Sequence, residues 1–441
     1  MNFMNSLYKK LSRNQHLDYS KFFYLLFFLT LLNGLFNSVL SGLGFNYPFS
    51  TFLYNPNNLF ADFYLPILSF PGPELEGFNS IFLENYLKNN PYSSSLKDLQ
   101  LNTLTHFHHM PLMTFIFIIY RWLFTVFHPY YLFLATVIIF LSAYINLIKT
   151  HLSQGKKFLI ITSLVVSYPF LFAVTRGNIG AFIVGLSLSY VIVLSFQNKN
   201  PYLIGFILSL AVNIRPNSAI LVLLFFLFYD FKIAFKYAFS AGLLSLLLFA
   251  VFLFLTNQIY PNYNLENFLK GLEFIYNDYI IGNAGVAYGS SLHGGLKIIG
   301  HLLNMKFLFE FPIVSTILSL SIMSFFFVQF KNKVIDKYFM SFVIVATYVI
   351  AFPMFGDYHL LVFIGYFVVL CNYYESNEQL KFILILFFSI LIFAPKNYIF
   401  VSIVSAQVLL NPILCIFAIF SISIYYRKKS NFSFNLRNVL R

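Results

Sequence analysis

The chain is built from apolar runs that are too long and too frequent for the core of a soluble domain. Residues 21–40, 158–174 and 238–255 each form a run about as long as a helix needs to cross a bilayer core. Only 10% of the residues are charged, against about 25% in soluble proteins, and 59% are hydrophobic. The sequence therefore predicts an all-α polytopic membrane protein. It excludes a cytosolic enzyme, a disulfide-built secreted domain, a disordered chain and a nucleic-acid binder.

The basic residues indicate how the chain is threaded through the bilayer. The formal net charge is +13, and many of the basic residues stand in clusters at the ends of apolar runs: Lys9, Lys10 and Arg13; Lys149, Lys156 and Lys157; Lys331, Lys333 and Lys337; Arg427, Lys428 and Lys429. Such clusters mark cytoplasmic loops under the positive-inside rule. We therefore expect one membrane domain over residues 1–441, with cytoplasmic termini and about 12 transmembrane helices. The bias toward Phe, Ile and Asn indicates an AT-rich bacterial genome, and the expected location is the bacterial inner membrane.

Two polar segments are expected on the outer, periplasmic side. The first, residues 41–109, is acidic, carries Asp62, and contains prolines and glycines that predict short helices and turns. The second covers residues 257–304. Between them, residues 111–127 end at His128-Pro129, and we predict that this run is partly re-entrant or interfacial. A full crossing there would leave the next basic cluster outside.

Unusual polar residues converge on the outer ends of the predicted spans. Charges at these positions cost free energy unless they face a cavity or a ligand. We therefore expect one outer-face site, formed by Asp62, the histidines His106, His108 and His109, Arg176-Gly177-Asn178, Asn213 and Arg215, Ser290-Ser291-Leu292-His293, and Asp357-Tyr358-His359.

Asp62 and two arginines suggest acid–base and anion chemistry. A carboxylate flanked by Phe60 and Phe63 can act as a general base, or it is a helix cap or a solvated acid. Arg176, at a predicted helix start, offers donors for a phosphate, or it is an interfacial anchor. Arg215 lies in a proline-interrupted apolar stretch, where a second anion contact and a simple anchor are equally compatible with the pattern.

Two later segments offer further ligand contacts. Ser291 and His293 belong to a glycine- and serine-rich segment that is typical either of a loop closing over a ligand or of an ordinary connector. Asp357 begins a span, where it orients His359 or a basic partner, or caps the helix. His106, His108 and His109 of the first segment have no cysteine near them in the sequence, so no metal site is predicted from them. No cofactor is expected, and a divalent metal is compatible with the sequence but not required by it.

In order and spacing these segments resemble glycosyltransferase family 87, within the C-type superfamily of membrane glycosyltransferases. The resemblance covers roughly residues 54–370 and rests on Asn58-Leu59-Phe60-Ala61-Asp62, Asn90-Pro91-Tyr92, Arg176-Gly177-Asn178-Ile179, Arg215-Pro216, Ser290-Ser291-Leu292-His293-Gly294 and Asp357-Tyr358-His359-Leu360. The chain departs from the family pattern where His108-His109-Met110-Pro111 replaces Tyr-Pro-Pro. Arg215 and His359 also stand where the family has lysines.

The resemblance implies transfer of a hexose, often mannose, from a polyprenyl-phosphate donor to a glycan or glycolipid acceptor at the outer face of the membrane, with inversion at the sugar carbon. It implies that Asp62 is the general base. It also implies that the substrates are bound by Arg176, Asn178, Arg215, Ser291, His293, Asp357, Tyr358 and His359.

Three other classes share parts of this pattern. A transporter or flippase of lipid-linked anions has similar spans and buried arginines, but it does not need the long outer segment that carries Asp62. An O-antigen-type polymerase or ligase also handles lipid-linked sugars, but its largest outer loop usually comes late in the chain, whereas here the first is the largest. A non-catalytic scaffold has no reason to collect polar residues on one side.

Overall fold

The protein is almost entirely helical over the residues that the structure describes. The computed structural model describes residues 20–42, 60–70, 72–73, 77–88, 108–152, 157–282, 291–305, 310–353, 356–374, 379–395, 400–401, 404–405 and 407–429. The exception to helix is an antiparallel pair of two-residue strands, β1 (Phe400–Val401) and β2 (Val404–Ser405). The predicted all-α class is confirmed at this level.

The helices of the first half follow one another closely. They are α1 (Ser20–Gly42), α2 (Ala61–Ser69), α3 (Gly77–Lys88), α4 (Pro111–Val126), α5 (Pro129–His151), α6 (Lys157–Val165), α7 (Tyr168–Arg176), α8 (Ile179–Phe196) and α9 (Pro201–Val212). The run predicted as one span over residues 158–174 is divided between α6 and α7. Pro169 has no N–H to donate to the carbonyl of Val165, so the first helix ends before it.

The second half contains longer α-helices together with two 3₁₀ helices and one π-helical segment among the described residues. They are a 3₁₀ helix (Pro216–Leu224) that continues as α10 (Phe225–Phe228), α11 (Phe231–Ile259), α12 (Leu265–Phe274) followed by a π-helical segment (Ile275–Ile281), α13 (Leu292–Leu303), α14 (Pro312–Lys331), α15 (Lys337–Ile350), a 3₁₀ helix (Asp357–Val362) that leads into α16 (Phe363–Tyr374), α17 (Gln379–Phe393) and α18 (Gln407–Lys429).

Five of the described helices are long and apolar enough to cross a membrane. Their apolar stretches are Pro129–His151, Ile179–Phe196, Phe231–Ile259, Pro312–Lys331 and Val408–Tyr426. Seven further apolar helices have 10–17 residues, which is short of the roughly 20 that a straight crossing needs. These helices indicate a membrane protein, whereas the expected total of about 12 crossings stays a prediction.

The two polar segments contain short helices. Helices α2 and α3 lie in the first segment, and α12, the π-helical segment and α13 lie in the second. Between them, α4 runs without interruption from Pro111 to Val126, and the next helix, α5, has His128 as its N-cap. Helix α4 contacts both α2 and α11. Whether α4 crosses the bilayer, and on which side the polar segments lie, stay predictions.

Helix α8 is at the centre of the packing. It contacts α5, α7, α9, α16 and both 3₁₀ helices. The approach of α16 is close because Gly365 has no side chain: a Cβ there would lie 2.5 Å from the backbone of Ser189. The Ser189 hydroxyl accepts the N–H of Gly365 at 3.1 Å. The middle of α8 is therefore held closely against α16.

Candidate functional site

A backbone junction brings α2 against the end of α7. Phe60, just before α2, has φ 59° and ψ 22°, in the left-handed region. Its N–H donates to the carbonyl of Thr175 at 2.8 Å. This conformation is uncommon for a bulky residue, and here it turns the chain so that α2 starts directly beside the last turn of α7.

Gly177 makes the close approach of α2 to α7 sterically feasible. Its φ of 69° is in the left-handed region, where a glycine usually ends a helix. A Cβ at this position would lie 2.7 Å from the Cβ of Phe63 in α2. A side chain would therefore push α2 away from the α7–α8 connection.

Three residues predicted for the site meet at this junction. Arg176 donates through Nη2 to Oδ1 of Asp62 in an ion pair. Asn178 donates through Nδ2 to Oδ2 of Asp62 at 3.0 Å. The Asp62 side chain keeps 22% of its surface exposed, against 9% for Arg176. The carboxylate is therefore oriented from both of its oxygens while one edge stays accessible.

Arg176 and Asn178 can both reach Asp62 because they stand at the ends of neighbouring helices. Arg176 is the last residue of α7, not the first residue of a helix as the sequence indicated. A cation at a helix C-terminus is favoured by the helix dipole. Asn178 is the N-cap of α8, because its Oδ1 accepts the N–H of Ala181 at 2.8 Å. Its amide nitrogen is turned toward Asp62 as a consequence.

A second group of predicted residues lies next to this junction. Arg215 ends the connection after α9 and is extended, as expected before Pro216. Its charge acts on His359 and Tyr348, which are both buried. Tyr358 stacks on Phe172 of α7 with ring centroids 5.5 Å apart.

Gly180 connects the two groups. A Cβ placed on Gly180 would lie 3.5 Å from Asn178 Oδ1 and 3.5 Å from the side chain of Ile214, the residue before Arg215. Asp357 is the first residue of the second 3₁₀ helix, and its side chain lies outside the described part. The structure thus places Arg215, Tyr358 and His359 around the same end of α8 as Asp62.

Ser291 and His293 occupy the first turn of α13. The Ser291 hydroxyl donates to the carbonyl of Pro353 at 3.0 Å and accepts the N–H of Gly294 at 3.1 Å. His293 contacts the carbonyl of Ile280 through Nε2 at 3.0 Å. Both side chains therefore organise the second polar segment in this state, and their binding of substrate stays a prediction. Ser290 lies outside the described residues.

Lys297 belongs to this segment and was missed from the sequence. It is 1% exposed, and Nζ donates to the carbonyls of Tyr279 at 3.0 Å, Ile280 at 3.2 Å and Gly282. Burial lowers the pKa of Lys297 to about 8. Burial also lowers the pKa of His293, and the charge of Lys297 acts in the same direction. No local signal in the sequence indicates this burial, because Lys297 shares its helix face with His293 and His301.

The histidines of the first polar segment are placed apart from the carboxylate junction. The rings of His108 and His109 are 4.2 Å apart, and the carbonyl of His109 accepts a hydrogen bond from the hydroxyl of Tyr263. His106, like Asn90-Pro91-Tyr92, lies outside the described residues. Across the described ranges no group of three His, Cys, Asp or Glu side chains has the arrangement of a metal site.

The arrangement combines a carboxylate, a guanidinium and an amide at the end of a buried helix, with a second arginine nearby. Such a set can accept a proton through Asp62 and bind an anion through Arg176 or Arg215. No protein-family model, curated protein or solved structure matches this chain.

Proposed function

We propose that this protein is a membrane glycosyltransferase that transfers a hexose, with mannose the first candidate, from a polyprenyl-phosphate donor to a glycan or glycolipid acceptor. The proposal places the reaction at the outer face of a bacterial inner membrane, with both termini cytoplasmic. It rests on the resemblance of the ordered motifs to glycosyltransferase family 87. The observation that carries it is the carboxylate of Asp62, which is held by Arg176 and Asn178 beside the end of a buried helix.

Asp62 is the general base of the proposed reaction. Each carboxylate oxygen has more than one lone pair, so Asp62 can accept the acceptor's hydroxyl while it keeps its bonds to Arg176 and Asn178. The acceptor oxygen loses its proton to Asp62 and attacks the anomeric carbon of the hexose. The bond from that carbon to the phosphate oxygen breaks, its electron pair stays on the phosphate, and polyprenyl phosphate leaves. A single displacement of this kind inverts the configuration at the sugar carbon.

The arginines stabilise the leaving phosphate. A guanidinium has five N–H donors, so Arg176 can bind Asp62 and a phosphate at the same time. Arg215 contributes a second cation near the same end of α8, where Tyr358 stacks on Phe172 and His359 is buried within reach of the Arg215 charge. Cations that are fixed where charge develops lower the barrier because they need no reorganisation during the reaction.

The donor's polyprenyl chain is compatible with the surroundings of the site. The Asp62 junction lies between apolar helices, and α4 beside it exposes Ile119 and Trp122. A lipid-linked donor would keep its chain in the bilayer while its phosphate reaches the two arginines. The outer face of a bacterial membrane has no nucleotide sugar, so a lipid carrier is the donor class that fits this location.

The test is a transfer assay with purified protein in detergent. Radiolabelled polyprenyl-phosphate mannose and glucose are offered with a panel of glycan and glycolipid acceptors. We expect Asp62→Asn to lower kcat about 10²- to 10⁴-fold, the usual contribution of a general base, while donor binding is retained. Glu84→Gln is the matched control, because Glu84 is an exposed carboxylate in the same polar segment.

Arg176→Lys separates the two roles of Arg176. It keeps the positive charge but loses the forked geometry, so we expect weaker donor binding together with slower transfer. Movement of labelled lipid across proteoliposomes without transfer would replace the proposal with transport. Failure of the wild type to bind any lipid-linked sugar would refute it.

A further inference from the structure

A cavity lies beside the C-terminal end of α8, away from Asp62. It has a volume of about 710 Å³ and lies between the 3₁₀–α10 segment, the start of α11, the turn after α14 and the last turns of α18. Helix α8 sets its distance from the first site. The Asp62 junction is at the N-terminus of α8, whereas Phe196 at the C-terminus packs on Phe228, with ring centroids 4.9 Å apart, beside this cavity. Eighteen helical residues separate the two ends by about 27 Å.

The cavity has a cationic side formed by the end of α14. Lys331 lies over the rings of Phe327 and Phe330 and donates to the carbonyl of Phe226 at 3.2 Å, so its ammonium is held in the cavity wall. Lys333 has φ 57° at the position that ends α14, where glycine is the usual residue. Lys333 makes no ion pair with any described residue.

The cavity has an anionic side formed by the start of α11. Asp230 is the N-cap residue of α11, but its side chain makes no capping hydrogen bond. The other lining carboxylate, Asp336, is already used: it accepts the hydroxyl of Tyr426 at 2.6 Å and the N–H of Phe339 at 2.9 Å. Asp230 is therefore the carboxylate that is available to a ligand.

Asp230 and Lys333 line one cavity without pairing with each other. A ligand that carries one anionic and one cationic group would complement both sides. The two lysines suit a phosphate, and Asp230 suits a primary ammonium, which donates hydrogen bonds as well as charge. A purely anionic ligand would leave Asp230 facing a like charge.

The surface beside the cavity favours a lipid as the source of this ligand. Only 6% of the apolar stretch of α11 is buried inside the protein. The first turns of α11, directly after Asp230, carry Phe231, Phe235 and Phe239, which are 66%, 57% and 57% exposed. These rings give acyl chains a path along α11 while the headgroup occupies the cavity.

We propose that this cavity binds the headgroup of a zwitterionic phospholipid with a primary ammonium, of the phosphatidylethanolamine class. Its phosphate contacts Lys331 and Lys333, its ammonium contacts Asp230, and its chains lie against the exposed phenylalanines of α11. The proposal does not depend on the glycosyltransferase reaction.

Native mass spectrometry of the purified full chain tests the proposal. Phosphatidylethanolamine, phosphatidylglycerol and phosphatidylcholine with identical chains are added in turn. We expect the wild type to prefer phosphatidylethanolamine by about fivefold or more, because only this headgroup offers both a phosphate and N–H donors. Lys331→Gln combined with Lys333→Gln should weaken binding of all three lipids about tenfold. Asp230→Asn should remove the preference, because phosphatidylethanolamine loses its carboxylate partner and phosphatidylglycerol no longer faces a like charge.

The control variants are Lys236→Gln and Asp278→Asn. Lys236 is an exposed lysine of α11 outside the cavity, and Asp278 is an exposed carboxylate of the π-helical segment. Equal binding of the three lipids by the wild type, or a preference that survives Asp230→Asn, overturns the proposal. A loss in Lys236→Gln as large as in the cavity variant shows surface attraction only and also overturns it. If soluble O-phosphoethanolamine displaces the lipid and binds as tightly as the lipid does, the proposed contact of the acyl chains with α11 is refuted.

Discussion

Helices α8 and α11 are almost equally apolar, but they have opposite surroundings. Their mean hydropathies are 2.2 and 2.5, whereas 67% of the α8 stretch and 6% of the α11 stretch are buried inside the protein. Small residues account for the difference. Gly185 and Ser189 of α8 are in close contact with Leu361 and Gly365, whereas no described residue lies within 4 Å of a Cβ placed on Gly242 of α11. In a bilayer, close packing rather than hydrophobicity decides which helices become the core.

The largest contrast is expected from truncating a leucine in each helix. Leu188 of α8 is fully buried, whereas Leu247 of α11 is 59% exposed. Leu188→Ala should cost about 2–5 kcal/mol because it leaves a cavity, and Leu247→Ala should cost under about 1 kcal/mol because lipid fills the space. Reversible unfolding in mixed micelles measures both. Equal losses would contradict the assignment of α11 to the lipid surface.

A methyl group added to a glycine gives the next largest contrast. Gly365→Ala would place a Cβ against the backbone of Ser189, and we expect a loss of about 1–3 kcal/mol from the displacement of α16. Gly242→Ala meets no neighbour, and alanine is the better helix former, so the variant should be neutral or slightly more stable. Thermal unfolding in detergent compares the pair. Destabilisation by Gly242→Ala would show that a further partner covers α11.

Buried and exposed positions also occur within the single helix α13, where Lys297 is buried and Leu302 and Leu303 are exposed. The pKa of Lys297 is lowered by burial from 10.5 to about 8 in the folded protein, so between about pH 8 and 10.5 the unfolded chain binds the extra proton. The contribution of Lys297 to stability therefore rises with pH across this window, by an amount on the order of 3 kcal/mol.

The pH effect is measured as the difference between the wild type and Lys297→Met. Thermal unfolding from pH 7 to 10 should show a wild-type stability that rises relative to the variant. His301→Gln is the control for a titrating neighbour on the same helix, and it should keep the wild-type slope. A difference that stays constant with pH would contradict the burial of a charged lysine.

The smallest effect is expected where α11 attaches to α9. Asn213 donates through Nδ2 to the carbonyl and hydroxyl of Ser245 in α11, both at 3.0 Å. Asn213→Ala should cost about 0.6–1.7 kcal/mol, as is usual for polar contacts between membrane helices. A double-mutant cycle with Ser245→Ala isolates the contact. A coupling energy of zero would indicate that α11 is held on α9 by its other contacts, such as the packing of Ala241 on Gly205 and the hydrogen bond from the Ser209 hydroxyl to the Ala241 carbonyl.

The candidate site was partly predictable from local sequence. Arg176 and Asn178 stand out because they interrupt apolar runs, and Asp62 because it stands alone among aromatics. The structure adds that Asp62 is bonded to both of the others. Lys297 was not selected, because a lysine within an amphipathic helix has the pattern of a residue that faces water. The carbonyls that accept from it lie in the π-helical segment and at Gly282 just after that segment, 15–18 residues earlier in the chain.

Local chemistry in the sequence was sufficient for the helical class, the membrane environment and the breaks at prolines, since apolar length and a missing N–H act within one turn or one span. Only the tertiary structure decided which apolar helices are central. It also decided that the left-handed backbone at Phe60 and Gly177 brings α2 against α7 so that Asp62 meets Arg176. The reason is that both decisions depend on contacts between residues more than a hundred positions apart, and in a uniformly apolar chain these contacts are selected by shape.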